Sequence, residues 1–482
     1  MKHQETALER MSKREYYGLF MEQGTGKTWC LLADAERLYK SGEIQAVLVI
    51  TPNNVHVNWV RREIPQHLEV DHMARAWRSG GSKQHMAAIE ELFTVKKPRL
   101  RILSMNIEAL LSKSGMETAT RFILTYKTLI IIDESQRIKN PAAARTNRVM
   151  QLRMNCKYAR ISTGTPATNA PVDVFSQMEF LKPGLLGTSS YRAFVATYAE
   201  VLSRDHPMMV NMMKKNPRIA HAQIIARDSE GRPKWRNLQR LQKLLEPHTF
   251  RITKEDCLDL PPKVYKQHYF QLSAAQQKAY EFMGEECRMM IGDEPVPVQT
   301  LGAGIKLQQI TSGFVLHEGF PHYVVGENTR LEAFMDLAAD LEGQFIVWAR
   351  FREEIRAIAE ALAAAGIPAA TYFGDTSRED REAAVEDFQS GKIRAFVANQ
   401  ETGGTGLTLT AAQTSIYYSN DFNLEHRLQS EDRSHRKGTK GTVVYIDLIA
   451  ENSIDETIVG ALRSKSNMAA AIVGDINNKN KL

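Results

Sequence analysis

The segment Gly24-Thr25-Gly26-Lys27-Thr28 lies between the apolar run Tyr16–Met21 and a helical pattern that starts at Lys27, and it constrains the fold more than any other part of the chain. Glycines permit a tight turn that points successive N–H groups at an anion, and the start of the following helix adds partial positive charge. A nucleotide phosphate is the fitting ligand. Gln23, Gly24, Thr25 and Gly26 form the cradle, Lys27 reaches the β- and γ-phosphates, and the Thr28 hydroxyl sits on Mg2+. Strand, glycine loop and helix in this order require an α/β fold with a parallel sheet. Met21 stands where the first glycine of such loops is usual.

A second segment completes the site. Leu129-Ile130-Ile131-Ile132-Asp133-Glu134-Ser135-Gln136 is a continuously apolar strand that ends in two carboxylates. Strands of this kind are buried on both faces, and their C-terminal ends are where open α/β sheets bind ligands. Asp133 is assigned to Mg2+ and Glu134 to orienting and deprotonating the attacking water. Taken singly, the glycines could be a plain turn and the carboxylates a solvated strand end. In this order along the chain they form one ATP site.

Short β-rich runs alternate with helical patterns on either side of these motifs. The expected strands are Tyr16–Met21, Ala46–Thr51, Leu100–Ser104, Thr128–Asp133 and Tyr158–Thr163, then Phe345–Ala349, Ala369–Phe373, Ala395–Ala398, Thr414–Tyr418 and Thr442–Leu448. Three regions follow: an N-terminal ATP-binding lobe over 1–171, a mainly helical inter-lobe region over 172–342, and a C-terminal lobe over 343–482. The inter-lobe region carries a basic stretch, Lys214 to Arg240, which reads equally as a DNA clamp or as solvated surface. The net charge of +6 over 482 residues fits a polyanionic partner without demanding one. Four cysteines without a C-x-x-C pair exclude a zinc site of the usual spacing and favour a reducing compartment. No apolar run approaches a membrane span, and Met1 to Arg10 is too polar for a signal peptide. A cytoplasmic monomer of a bacterial or infected host cell is expected.

Further motifs run the length of the chain in a fixed order. They are Pro52 to Glu63 with Asn58-Trp59, Ser162-Thr163-Gly164-Thr165-Pro166-Ala167-Thr168-Asn169, Phe180 to Gly184, Arg251, Leu260-Pro261-Pro262-Lys263, and Gln271-Leu272-Ser273 with Gln276. They continue with Lys306 to Ile310, Tyr372-Phe373-Gly374-Asp375 with Arg381 and Phe388, the glycine loop Gly403-Gly404-Thr405-Gly406, and Gln429 to Gly438. With these residues the chain resembles the SWI/SNF-like ATP-dependent DNA translocases of helicase superfamily two, in a compact phage or bacterial form. The resemblance implies two RecA-like lobes of the P-loop NTPase fold with a helical insertion. It implies ATP and Mg2+ as cofactors and double-stranded DNA as partner.

The resemblance also distributes roles. Gln429, Arg433 and Arg436 fall at i, i+4 and i+7, one face of a helix. They match the arginine-finger motif, in which Arg433 and Arg436 stabilise the charge developing on the γ-phosphate. Gln4 takes the place of the adenine-reading glutamine, and Gly404 and Gln429 join the ATP site. The DNA contacts implied are Thr51, Pro52, Asn53, Trp59, Ser104, Asn106, Thr165, Arg350 and Thr402, most of them to phosphates. Trp59 either stacks on a base or packs its helix. Gln136, Thr163, Gly164 and Thr165 couple the two sites, and His435 is a structural or coupling residue. The carboxylate motif ends in Ser135-Gln136 where the family more often has Ala-His, so that position cannot titrate. Two rival readings share most of these residues. One is a helicase that separates strands or works on RNA. The other is an ATP-gated recruitment protein with little turnover, against which intact Glu134, Arg433 and Arg436 argue.

Overall fold

The computed structural model describes residues 1–53, 55–215, 222–229, 232–291, 294–298, 300–324, 328–403 and 407–473. The described residues divide into two compact units, 1–258 with 467–473 and 259–466. The region expected between the lobes is therefore shared out, its first half joining one unit and its second half the other.

The first unit is built on β1 (Tyr16–Met21), β2 (Ala46–Thr51), β3 (His72–Ala76), β4 (Leu100–Asn106), β5 (Thr128–Asp133), β6 (Tyr158–Thr163) and β7 (Thr249–Ile252). They form a seven-stranded sheet in the order β3-β4-β2-β5-β6-β1-β7, and every adjacent pair is parallel. Each side chain of β2, β5 and β6 is buried, which is why these strands read as unbroken apolar runs instead of alternating ones. Helices cover both faces and give two apolar cores, one around Leu48, Ile130 and Phe175, the other around Leu31, Val49 and Ile131.

β3 and β7 escape a periodicity reading because they are short edge strands, and Met73 is the only fully buried residue of β3. The helix after the phosphate loop runs Lys27–Lys40 and stops before Gly42, whose positive φ of 73° favours glycine. Its Asp34 is fully enclosed with Arg160 of β6, the guanidinium donating to the carboxylate from Nε at 2.9 Å. Further donations reach the carbonyls of Met11, Arg14 and Glu15, so one arginine ties the N-terminal helix Lys2–Ser12 and the helix Lys27–Lys40 to the sheet.

The second unit opens with β8 (Lys263–Phe270), then two antiparallel hairpins, β9 (Arg288–Ile291) with β10 (Glu294–Pro297) and β11 (Phe314–His317) with β12 (Phe320–Tyr323). Its main sheet adds β13 (Phe345–Ala349), β14 (Ala369–Tyr372), β15 (Ala395–Asn399), β16 (Thr414–Tyr417) and β17 (Val443–Ala450). The order is β14-β15-β13-β16-β17-β8, all parallel. β8 was not foreseen. It is an edge strand whose polar residues, Lys266, Gln267 and His268, interrupt the apolar pattern. The fold class is as expected: two parallel-sheet lobes sheathed in helices.

Removing one partner of an enclosed ion pair strands the other charge and costs about 3–5 kcal/mol. Asp34→Ala is therefore expected to lower the stability of the first unit by that amount, read as a lower urea midpoint in the transition that reports it. An unchanged midpoint would show that the Arg160 contacts to backbone carbonyls suffice.

Candidate nucleotide site and nucleic-acid interface

In the first unit β1 delivers the phosphate loop, β5 the carboxylates, and only β6 stands between them. All three strands are parallel, so the loops leaving them lie on one sheet edge. Gly24 and Gly26 take φ of 79° and 91°, the left-handed region, and a Cβ on Gly26 would meet the Gln4 side-chain amide at 2.0 Å. Glycine at 26 is thus needed twice, for the backbone and for the glutamine lying on it. His3 fixes the same helix to the loop through Nε2 and the Thr25 carbonyl at 2.9 Å. The Lys27 ammonium donates to the carbonyls of Met21 at 2.9 Å and Glu22 at 3.2 Å. Thr28 follows it in the first turn of the helix, and Gln23 lies partly exposed in the loop.

Asp133 is nearly enclosed and held by three donors. Ser162 Oγ gives to Oδ1 at 2.7 Å, the Glu134 backbone N–H to the same oxygen at 3.1 Å, and Trp59 Nε1 to Oδ2 at 3.1 Å. Glu134 has φ of 54° and ψ of 57°, a left-handed conformation that glutamate adopts only under constraint. Its carboxylate accepts from Gln136 Nε2 at 2.9 Å. Ser135 donates to Gln177 Oε1 at 2.7 Å, and the Gln177 amide donates to the carbonyls of Pro166 and Asp173 at 2.6 and 2.9 Å. The carboxylate turn and the loop after β6 are thereby one hydrogen-bonded piece.

That loop holds Thr163, Gly164 and Thr165, with Thr165 N–H capped by Thr163 Oγ1 at 3.0 Å. A Cβ on Gly164 would touch the Gln23 backbone nitrogen at 3.5 Å, so the loop lies against the phosphate loop. Arg251 of β7 donates to the carbonyls of Phe20 at 3.1 Å and Gly164 at 3.3 Å, bridging the two. Asp173 shapes the far side by accepting from the N–H groups of Thr168, Asn169 and Ala170. Gln177, Asp173 and the bridging role of Arg251 were missed by sequence reasoning. Their only signal was proximity in sequence to the matched motifs.

The expected DNA contacts of this unit separate into two groups. Asn53 is exposed, and Asn106 and Thr165 are partly so. Ser104 and Trp59, at 0% and 1% exposure, are enclosed, and Thr51 and Pro52 are also buried. Ser104 is a core residue of β4, and the Trp59 ring lies in the core with its N–H on the Asp133 carboxylate. Among the described residues of the basic stretch, Arg232 pairs with Asp228, Lys234 with Glu200, and Arg236 with the Ala196 carbonyl.

In the second unit the helix Leu424–Ser434 carries Gln429 and Arg433, with Arg436 just beyond its end. Arg433 and Arg436 donate to one acceptor, the Leu407 carbonyl, at 3.1 and 3.2 Å, and Arg436 also to Thr408 Oγ1 at 3.0 Å. Gln429 is buried and donates to Glu425 at 3.1 Å. His435 meets the Pro261 carbonyl at 2.8 Å through Nε2. Arg350 pairs with Gln308, and Thr402 N–H donates to Asn399 at 3.4 Å. Gly404 lies outside the described residues.

A buried charge network anchors that helix. Glu431 accepts from Lys263 at 3.0 Å, Tyr265 at 2.7 Å and Arg427 at 2.9 Å. Arg427 also pairs with Asp447 of β17 and lies 3.5 Å over the Tyr417 ring. Burial pushes the Glu431 carboxyl upward, but Lys263 and Arg427 outweigh it and hold the group below the ordinary carboxylate range.

Oxygen donors at Thr28 and Asp133 suit Mg2+, which takes few protein ligands when it also binds substrate phosphates. Among the described residues no three His, Cys, Asp or Glu side chains gather into a metal cage, and no helix is long and apolar enough to cross a membrane.

The first of the two parallel-sheet lobes thus carries a phosphate loop and a carboxylate pair on one edge of its sheet. The chain belongs to the SNF2-related family: the SNF2-related domain matches residues 3–312, and the helicase conserved C-terminal domain matches residues 329–438. It is 26% identical over 404 residues to human TATA-binding protein-associated factor 172, a match covering 72% of this chain and 21% of that protein. It is 25% identical over 472 residues to the putative ATP-dependent helicase/translocase YwqA of Bacillus subtilis, covering 94% of this chain and 46% of that one. The chain thus spans less than half the length of these relatives. The Sulfolobus solfataricus SWI2/SNF2 ATPase core in complex with dsDNA aligns with a TM-score of 0.40 and 21% identity, covering 99% of this chain and 96% of that chain.

A carboxylate held below its unfolded pKa contributes stability that is present above the unfolded value and is lost as pH falls through the folded one. Acid titration of the second unit should therefore show that loss, and Glu431→Gln should flatten it while costing about 3–5 kcal/mol at neutral pH. An acid limb identical in wild type and variant would exclude Glu431 as its source.

Proposed function

We propose that this chain is an ATP-driven motor that tracks along double-stranded DNA. The observation that carries the reading is the first unit's sheet edge, where a glycine loop wrapped by Gln4 stands beside a triply held Asp133 and a strained Glu134. Strain of this kind persists where the surroundings over-determine it, and nucleotide hydrolysis gives it a use.

In this reading Gln4 reads the adenine, and the loop N–H groups bind the phosphates. Lys27 exchanges its carbonyl partners for phosphate oxygens. Thr28 and Asp133 would hold Mg2+, which would supply neutralising charge to the triphosphate. Glu134, aimed by its backbone and by Gln136, orients the attacking water and takes its proton. Arg433 and Arg436 exchange the Leu407 carbonyl for the γ-phosphoryl oxygens in the transition state. Gly164 and Arg251, which touch both the phosphate loop and the loop after β6, carry the nucleotide state toward Thr165 and the DNA. Asn53, Asn106, Thr165, Arg350 and Thr402 contact its backbone. A monomer acting in bacterial or phage DNA replication, recombination or repair, in the cytoplasm, fits the bacterial relatives.

Steady-state ATPase rates with double-stranded DNA, single-stranded DNA and RNA test the substrate, and double-stranded DNA is expected to stimulate most. Stimulation by single strands alone would favour strand separation, and an RNA preference would overturn the DNA assignment. Lys27→Ala and Glu134→Gln should each abolish turnover, and Arg436→Ala should keep ATP binding while losing hydrolysis. Wild-type hydrolysis in any of the three removes that residue from the mechanism.

A further inference from the structure

Trp59 lies in a helical segment that runs from Val55 to His67 and changes character midway. Val55–Asn58 and Ile64–His67 are α-helical, but Trp59–Glu63 forms a wider π-turn in which the Ile64 N–H reaches back five residues to the Trp59 carbonyl. Pro65 follows, and its missing N–H leaves the Arg61 carbonyl without its ordinary α-helical donor. Such single wide turns are rare and gather at functional sites, because they re-aim a side chain.

Here the side chain re-aimed is an indole at 1% exposure, packed in the core with Leu31, Cys30 and Ile64. A buried indole N–H needs an acceptor, and any backbone carbonyl would serve. Instead it donates to Asp133 Oδ2 at 3.1 Å, while the other carboxylate oxygen takes Ser162 and the Glu134 N–H. The donors come from three parts of the sequence: the segment after β2, the end of β5 itself, and β6. Together they fix both the position and the plane of the carboxylate. The segment begins just beyond the exposed Asn53, so the indole also connects the end of β2 to Asp133.

We propose that Trp59 is a positioning residue for the metal carboxylate, its indole N–H holding Asp133 in the orientation that receives Mg2+. The proposal rests on the assignment of Asp133 to Mg2+. Partners of this kind typically change metal affinity about 10- to 100-fold when removed. Phenylalanine keeps an aromatic ring in the core while removing the donor together with part of the indole's volume.

The test is the binding of the fluorescent non-hydrolysable analogue mant-AMP-PNP, titrated with Mg2+. In Trp59→Phe the Mg2+ concentration for half-saturation should rise about tenfold or more, while metal-free nucleotide affinity stays near wild type and the thermal midpoint falls only by the cost of the lost core volume. A packing role alone would lower the midpoint and leave the Mg2+ requirement untouched, and that result overturns the proposal. Asp133→Asn tests the premise separately. It should erase the Mg2+ dependence altogether, and a wild-type titration there would reject Asp133 as the metal carboxylate, whatever Trp59 does. Should Trp59→Phe not fold, indole 15N–1H spectra of the wild type and Asp133→Asn decide. One of the five tryptophan signals must move on loss of the carboxylate charge, and a spectrum in which none moves overturns the contact.

Discussion

Burial of β5 on both faces is the constraint from which the rest of the first unit follows. A strand with no exposed side chain must sit inside a parallel sheet, and in such a sheet the loops that leave the strands collect on one edge. The charged residues of β5's sequence fall at that edge, where Asp133 is still nearly enclosed. An enclosed carboxylate must be hydrogen-bonded, and the three donors it finds come from β6, from its own following residue and from the helix after β2. A single burial requirement therefore gathers three separate stretches of sequence around one group.

Legibility in the sequence followed the same physics. The central strands were readable because double burial leaves an unmistakable apolar run, as in Ala46–Thr51 and Thr128–Asp133. The edge strands β3, β7 and β8 were not, because an edge needs only partial burial and accepts residues such as His72, Arg251 and Lys266. At the candidate site, residue types such as Lys27, Asp133 and Arg433 could be singled out, since their chemistry is written in the side chain. Their partners could not. Nothing in the letters Trp59, Gln177 or Asp173 says which group each will hold, because that depends on a π-turn and on two loops meeting after the sheet has formed. Ser104 follows the same physics, a polar side chain enclosed because its strand is buried.

Both units also enclose charge, and in each the enclosed charge joins elements that apolar packing alone would leave free to slide. Arg160 with Asp34 ties two helices to the first sheet. In the second, Arg427, Glu431, Asp447 and Lys263 tie the helix bearing Gln429 and Arg433 to β8 and β17. Desolvation makes such pairs poor contributors to net stability, yet their directional bonds allow one arrangement where an oily contact would tolerate several. The helix that carries Arg433 is held in one place by that restriction.

In the mechanism proposed above, Gln136 is a departure from the common pattern that keeps a donor on Glu134 while changing its sensitivity. Its amide donates to Glu134 at 2.9 Å, the bond a protonated histidine could also make. Histidine would lose that donor, or its charge, as pH rises through the range where imidazole titrates, and the orientation of Glu134 would change with it. An amide has no such transition. The neutral donor is weaker than a charged one, and the left-handed backbone at Glu134, already fixed by β5 and the following turn, supplies part of the aim that a stronger hydrogen bond would otherwise have to provide.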